Sequence, residues 1–422
     1  MLSRRSNQFR NPTPRLFYGY VIALAGFTIM ITMFITRYGF GVFFKPVQNE
    51  FGWTRALVAG AFSLSMFLEG LVGIVMGGLN DRVGPRTVLT LCGLLLGLGC
   101  LLMSKVHAIW QLYLFFGIIM GIGMSGAWVP LTSTIARWFV KRRGFWSGFV
   151  LTGTGLAALI APPVANLLIA NYEWRHSFTI MGIGVLMIVL LAAQFLRRDP
   201  SQLGLVPYGA DTERQKGPES GSEGFSFREA VSTRQFWLVT PMLFCFGTCM
   251  FTALVHIVPH ATDLRISGAT AVKILAALGG LAIIGRLFLG NLTDRIGSYR
   301  VFIIGFILMP AAYLWLMFSK EVWMLYLFAL PFGVAQGGMG AAESPLVADI
   351  FGLKSHGLIY GVTGFGFTLG GAVGPWLAGY VYDVRNSYDL AFLACAVIGI
   401  IGLILATLIL RLERPESPLK RL

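Results

Sequence analysis

The sequence predicts an all-α polytopic membrane protein, with twelve transmembrane helices in two pseudo-symmetric six-helix bundles. Three observations carry this prediction. Of the 422 residues, 56% are hydrophobic and only 12% are charged, whereas a soluble domain averages about 25% charged. The apolar residues collect into stretches long enough to cross a bilayer. The chain also repeats itself: GGLNDRVGPR runs from Gly77 to Arg86 and GNLTDRIGSYR from Gly290 to Arg300, so that Asp81 and Asp294 stand 213 positions apart. At the same offset Gly144 matches Gly357, Gly148 matches Gly361, Gly153 matches Gly366 and Pro162 matches Pro375, which is the pattern of an internal duplication.

In chain order, residues 1–16 are polar with four arginines and are read as a tail. The apolar run that follows is long enough to span and stay, so no cleavable signal peptide is expected. The first bundle, 17–196, holds segments at 17–44, 55–79, 87–104, 108–138, 144–171 and 174–196. Residues 197–234 contain RRDPSQLGLVPYGADTERQKGPESGSEG, a polar stretch rich in Gly, Pro and Ser that cannot form a core and is read as the linker. Within it, SFREA at 226–230 is expected to start a short surface helix. The second bundle, 235–410, holds segments at 235–262, 268–293, 299–319, 322–350, 356–382 and 388–410, and 411–422 forms a second tail.

The net charge of +14 raises nucleic acid as a partner, but no basic run is interleaved with aromatics. Counting Lys and Arg by side gives 23 on the side of the termini, the two Asp-Arg turns, the RWFVKRR loop, the linker and Lys354, against 8 on the other. The excess places both termini in the cytoplasm, as expected for a protein of the cytoplasmic (inner) membrane. The five cysteines lie in apolar segments without metal-site spacing. No GxSxG, HExxH or Walker pattern marks an enzyme, and no cofactor or metal is implied. The short polar tails and linker leave no room for the output domain of a receptor.

These residues resemble the major facilitator superfamily. The resemblance rests on the 6+6 duplication, the central linker and G-x-x-x-D-R-x-G after the second and eighth segments. HIVPHATDLRIS from His256, GRLFLGNLTDRIG from Gly285, YGFGVFF at 38–44 and EFGW at 50–53 resemble its monocarboxylate porter branch, which includes oxalate–formate exchangers. The resemblance implies that the two turns (Gly77, Asp81 and Arg82; Gly290, Asp294 and Arg295) act as a cytoplasmic latch. Physically, Asp81 is suited to accept from Arg82, Arg86 or a helix N-terminus of the other half.

Arg286 lies eight residues before Asp294, about 12 Å along a helix and so near the bilayer midplane. A cation there costs at least about 2.5–3.5 kcal/mol unless it faces a cavity or a partner. Its i±3 and i±4 neighbours, Ala282, Ile283, Leu289 and Gly290, include no acid. Its planar guanidinium suits a carboxylate, and the resemblance implies that role. In the family an Asp one turn earlier often handles the proton, but here Ala282 stands in that place. The candidate proton carriers are therefore Glu69, near the midplane of the second segment, Glu343 in the tenth, and Asp263 with His256. His256, His260 and Asp263 share a helix face at i, i+4 and i+7. That face is read as a proton path or, alternatively, as a solvated surface or a metal site. Glu69 is also the acid expected to pair with Arg286 when the cavity is empty. Arg37 is either a second substrate anchor or a snorkelling cation. Tyr38, Trp128, Phe246, Phe332, Tyr360 and Phe365 are expected along the cavity. The eleventh segment has no basic residue in its interior, whereas the family's dianion exchangers carry a Lys there, so one central cation favours a monoanion.

The expected function is secondary transport of a small organic monocarboxylate of the lactate, pyruvate or acetate class with a proton, by a monomer in the bilayer. Exchange of carboxylates, or carriage of a larger aromatic acid, is the alternative.

Overall fold

The computed structural model describes residues 17–53, 55–209 and 224–412. The first tail, nearly all of the second and residues 210–223 of the expected linker lie outside the described residues. The helices are α1 (Tyr18–Phe51), α2 (Arg55–Val83), α3 (Pro85–Met103), α4 (Ile109–Trp138), α5 (143–172), α6 (174–195), α7 (Arg234–Asp263), α8 (Gly268–Ile296), α9 (Ser298–Phe318), α10 (Val322–Phe351), α11 (His356–Arg385) and α12 (Asp389–Arg411).

Helices α5 and α6 run together as 53 residues, Arg143–Phe195, which at about 1.5 Å per residue far exceeds one bilayer core of about 30 Å. Glu173, at φ 59° and ψ 165°, breaks this run into two spans. Twelve spans therefore lie among the described residues. Helix is imposed here because a lipid-facing backbone must satisfy its own N–H and C=O groups. The turn after each Asp-Arg pair needs a residue without Cβ, and Gly84 (φ 87°) and Gly297 (φ 89°) supply it. Helix α4 is irregular, with a π-helical stretch at Tyr113–Met120 and a turn at 125–127 just before Trp128.

Each half has its own core. Ile29, Phe43, Leu96, Trp138 and Phe178 are buried in the first, and Phe246, Phe306, Tyr313, Phe328 and Phe332 in the second. The halves meet most extensively where α2 crosses α11 and α5 crosses α8, pairs that the 213-residue offset makes equivalent. The polar stretch between α6 and α7 is anchored at both described ends. Tyr208 N–H donates to Trp138 O (2.9 Å) and Lys141 N–H to Tyr208 O (3.0 Å), while Phe225 N–H donates to Phe351 O (2.8 Å). The bridges Phe139 to Tyr208 and Gly224 to Gly352 fall at equivalent positions of the two halves. The short helix Phe227–Val231 forms as the SFREA stretch predicts. Ser226 caps it, with Ser226 N–H donating to Glu229 Oε2 (2.7 Å).

Candidate functional site

The end of the molecule bearing the two Asp-Arg turns is closed. Asp81, at the last turn of α2, accepts from Leu358 N–H of α11 (2.9 Å) and from Arg137 Nη2 of α4 (2.9 Å). Asp294, at the last turn of α8, accepts from Gly144 N–H (2.8 Å) and Phe145 N–H (3.0 Å) at the start of α5. Each carboxylate thus caps a helix of the opposite half, where the unpaired N–H groups and the helix dipole favour an anion. The helix backbones touch beside these caps. A Cβ at Gly357 would collide with Gly77 O, and one at Gly144 with Gly290 O.

Arg82 and Arg295 are exposed and form no ion pair among the described residues, which corrects their expected place in the latch. The guanidinium that meets Asp81 is that of Arg137, 4% exposed, which also donates to Leu353 O (2.6 Å) and to Asp199 (3.4 Å). Arg86 donates instead to Gln194 Oε1 (2.8 Å). Sequence reasoning had counted Arg137 with the loop cations of RWFVKRR. The available signal was its place inside the predicted 108–138 segment, after the uncharged run LTSTIA, rather than beyond its end.

This arrangement predicts unequal effects at the two turns. Asp81→Asn leaves Arg137 buried with a weaker partner, so it is expected to raise the open fraction at this end about tenfold. Asp294→Asn, whose hydrogen bonds run to Gly144 and Phe145 N–H and whose charge partner Arg143 keeps Asp349, is expected to do less, charged hydrogen bonds being worth about 1.5–3 kcal/mol. Labelling of a cysteine introduced beside Leu358 measures this. Unchanged accessibility in both variants would count against a latch.

Arg286 is part-buried on α8, and its Nη1 donates to Leu151 O of α5 (3.0 Å). Tyr38 of α1 is the titratable side chain that interacts with it. No carboxylate lies within ion-pair distance of Arg286 among the described residues. The guanidinium lies over Gly155, where an added Cβ would stand 3.1 Å from Nη1.

Glu69 does not pair with Arg286. It holds Arg37, at 2.6 Å, between α1 and α2, in a small enclosed space also lined by Thr36, Ser65 and Met120. Arg37 lies 5.7 Å from the Phe34 ring centre, so it neither snorkels outward nor stands free as an anchor. Depth along a helix was legible in the sequence, but the facing of α2 towards α1 was not.

Glu343 is 1% exposed on α10. Tyr360 Oη of α11 donates to its Oε2 (2.8 Å), and Trp128 Nε1 of α4 donates to Tyr360 Oη (2.9 Å). One turn nearer the closed end, Ser344 Oγ donates to Thr132 O (3.2 Å), and the buried His356 contacts Ser133 Oγ (3.0 Å) and Ser344 O (3.1 Å). This polar seam between the halves was missed in the sequence, because Ser, Thr and His inside apolar helices give no pairing signal.

His256 is pinned by Pro375 O (2.9 Å) and Tyr388 Oη (3.2 Å), and Asp263 is exposed. The face they share with His260 gathers no metal-type cluster among the described residues. Phe332 is packed at 5.0 Å from Phe328 and 5.5 Å from Tyr313, and Phe246 packs against Phe302 and Phe367. Both belong to the second core rather than to a cavity wall. Tyr38 is 41% exposed, and Trp128 and Phe365 are partly buried.

The sequence pattern of the Major Facilitator Superfamily matches residues 22–298 and 261–422. Monocarboxylate transporter 12 of Rattus norvegicus is 27% identical over 428 residues, covering 95% of this chain and 88% of that protein. The Probable sulfoacetate transporter SauU of Cupriavidus necator is 27% identical over 402 residues, covering 91% of this chain and 92% of that protein. Among solved structures, the E. coli fucose:proton symporter FucP superposes with a TM-score of 0.70 at 17% identity over 95% of this chain and 100% of that chain. The human organic anion transporter MFSD10 superposes with a TM-score of 0.65 at 16% identity, over 92% of this chain and 97% of that chain. These two carry the fold alone. With the duplicated twelve-helix architecture and the paired capping aspartates, the matches establish that the chain belongs to the Major Facilitator Superfamily and is a multi-pass membrane transporter.

Proposed function

We propose that this transporter moves a small organic monocarboxylate across the cytoplasmic membrane by alternating access, together with a proton. The observation that supports this most is Arg286, a central guanidinium whose hydrogen bond among the described residues is to a backbone carbonyl. A guanidinium has five N–H donors, so most of its fork remains for a carboxylate. Arg37 is occupied by Glu69, which leaves Arg286 as the one central cation without an acid partner among the described residues and favours a monoanion. Tyr38 stands beside the site with a hydroxyl to offer. Glu69 is the proposed carrier of the coupled proton, since protonation removes the charge that holds Arg37. Asp263 and His256 are not needed for this role. The names of similar proteins, monocarboxylate transporter 12 and a sulfoacetate transporter, fit a carboxylate cargo.

In the same reading, residues 17–196 and 235–410 are the rocking bundles, 197–234 is a cytoplasmic linker, both tails are cytoplasmic and the monomer is the working unit. Uptake of labelled lactate, pyruvate and acetate into proteoliposomes tests the proposal. An inward proton gradient is expected to accelerate uptake of at least one of them. Uptake that ignores the gradient but requires carboxylate inside would replace symport with exchange.

A further inference from the structure

We propose that Glu343 is a proton site reached only from the end that bears the Asp-Arg turns, and that this end reseals only when Glu343 is protonated. The inference rests on the alternating-access reading above, and it gives the closed seam a chemical sensor separate from Arg286 and Glu69.

The carboxyl is enclosed where α4 of the first half meets α10 and α11 of the second. Its Oε2 accepts from Tyr360, and its Oε1 has no partner among the described residues. A carboxylate with one donor and no cation is costly to bury, whereas a neutral acid, its carbonyl oxygen accepting from Tyr360, is much less so. The elements packed against α10 carry other ionisable groups: Arg286 on α8, Arg143 on α5, Arg137 on α4, Tyr313 on α9, Cys249 on α7, and His356 and Tyr360 on α11. Arg137 is engaged by Asp81, Arg143 by Asp349, Arg286 by Leu151 O, and His356 by Ser133 and Ser344. None forms an ion pair with Glu343 among the described residues.

The chain of donors also fixes which side can titrate the site. Tyr360 gives its hydrogen to Glu343 and accepts from Trp128 Nε1. An indole N–H only donates, so no proton passes along Trp128 to the far side while the seam is shut. Opening this end separates Trp128 from Tyr360 and lets water reach the carboxyl, which then ionises against the solvent on that side. Reclosure requires the proton back from the same side. The proton is therefore not transported. It couples the gate to the pH of one compartment, acidity favouring closure and alkalinity holding the end open.

Spin labels at Lys141→Cys and Lys354→Cys test this. These positions are exposed, equivalent in the two halves and next to the seam, and the native cysteines among the described residues are buried. Distances are read by pulsed dipolar spectroscopy from pH 5 to pH 9 (about the range a linked carboxyl spans) without substrate, and again with saturating lactate. In the otherwise native protein the long-distance population is expected to grow with pH, by up to about tenfold per unit, the slope of one linked proton. Glu343→Gln is expected to stay closed with no pH dependence. Tyr360→Phe loosens the same seam but keeps the carboxyl, so its pH dependence must survive. A Glu343→Gln protein that titrates like its parent overturns the proposal, as does a parent that opens with lactate but not with pH. A pair that never separates under any condition overturns the alternating-access reading along with it.

Discussion

Arg286→Ala is expected to abolish measurable carboxylate binding, a loss of about 30-fold or more. Removing one partner of a buried charge pair costs about 2–5 kcal/mol, and each 1.4 kcal/mol is about tenfold. The variant should fold, because among the described residues Arg286 makes a single hydrogen bond, to Leu151 O, and removing the side chain strands no acid there. Arg286→Lys keeps the charge but loses the planar fork, so weak binding is expected. Calorimetric titration with lactate, pyruvate and acetate measures both. Near-normal affinity in folded Arg286→Ala protein would move the anion site elsewhere, and Arg37 would serve only after release from Glu69.

Gly357→Val is expected to hold the closed end open and reduce uptake about 10- to 100-fold, overpacking costing about 1–3 kcal/mol. The obstacle is not a side chain that can turn away. An added Cβ meets Gly77 O and stands 3.0 Å from Asp81 Oδ1, so both the helix crossing and the capping carboxylate are disturbed. Gly144→Val tests the equivalent crossing, where the obstacle is Gly290 O. Full uptake by either variant would mean that this contact does not form during the cycle.

How much of this was legible in the sequence depended on the kind of information each feature requires. Repetition needs only counting, so the two bundles and the equivalence of Asp81 and Asp294 were readable. Depth needs only helix rise, so Arg286, Glu69 and Glu343 were recognised as intramembrane groups. Partnership needs the rotation of each helix about its axis, which weak amphipathicity inside a membrane protein does not encode. Glu69 therefore turned out to face Arg37. Backbone partners leave no mark on side-chain identity, so the acceptor of Arg286 could be found only in three dimensions, whereas a cap on a helix of the other half was among the partners open to Asp81 and, by equivalence, to Asp294. Arg137 was concealed by its neighbours: a latch arginine next to Lys141, Arg142 and Arg143 reads as one more basic loop residue.

The anchored ends of the stretch between α6 and α7 bear on how the halves are held together. Tyr208 is stitched to the loop after α4 and Gly224 to the loop after α10, the two loops that the alternating-access reading has separating when that end opens. The sixteen steps between them can span at most about 53–58 Å. On the alternating-access reading, a tether of that reach would keep the local concentration of one half near the other in the millimolar range and would leave the direction of rocking to the helix crossings. Two separately expressed halves should accordingly find the same gate geometry, at the cost of becoming sensitive to their dilution in the membrane.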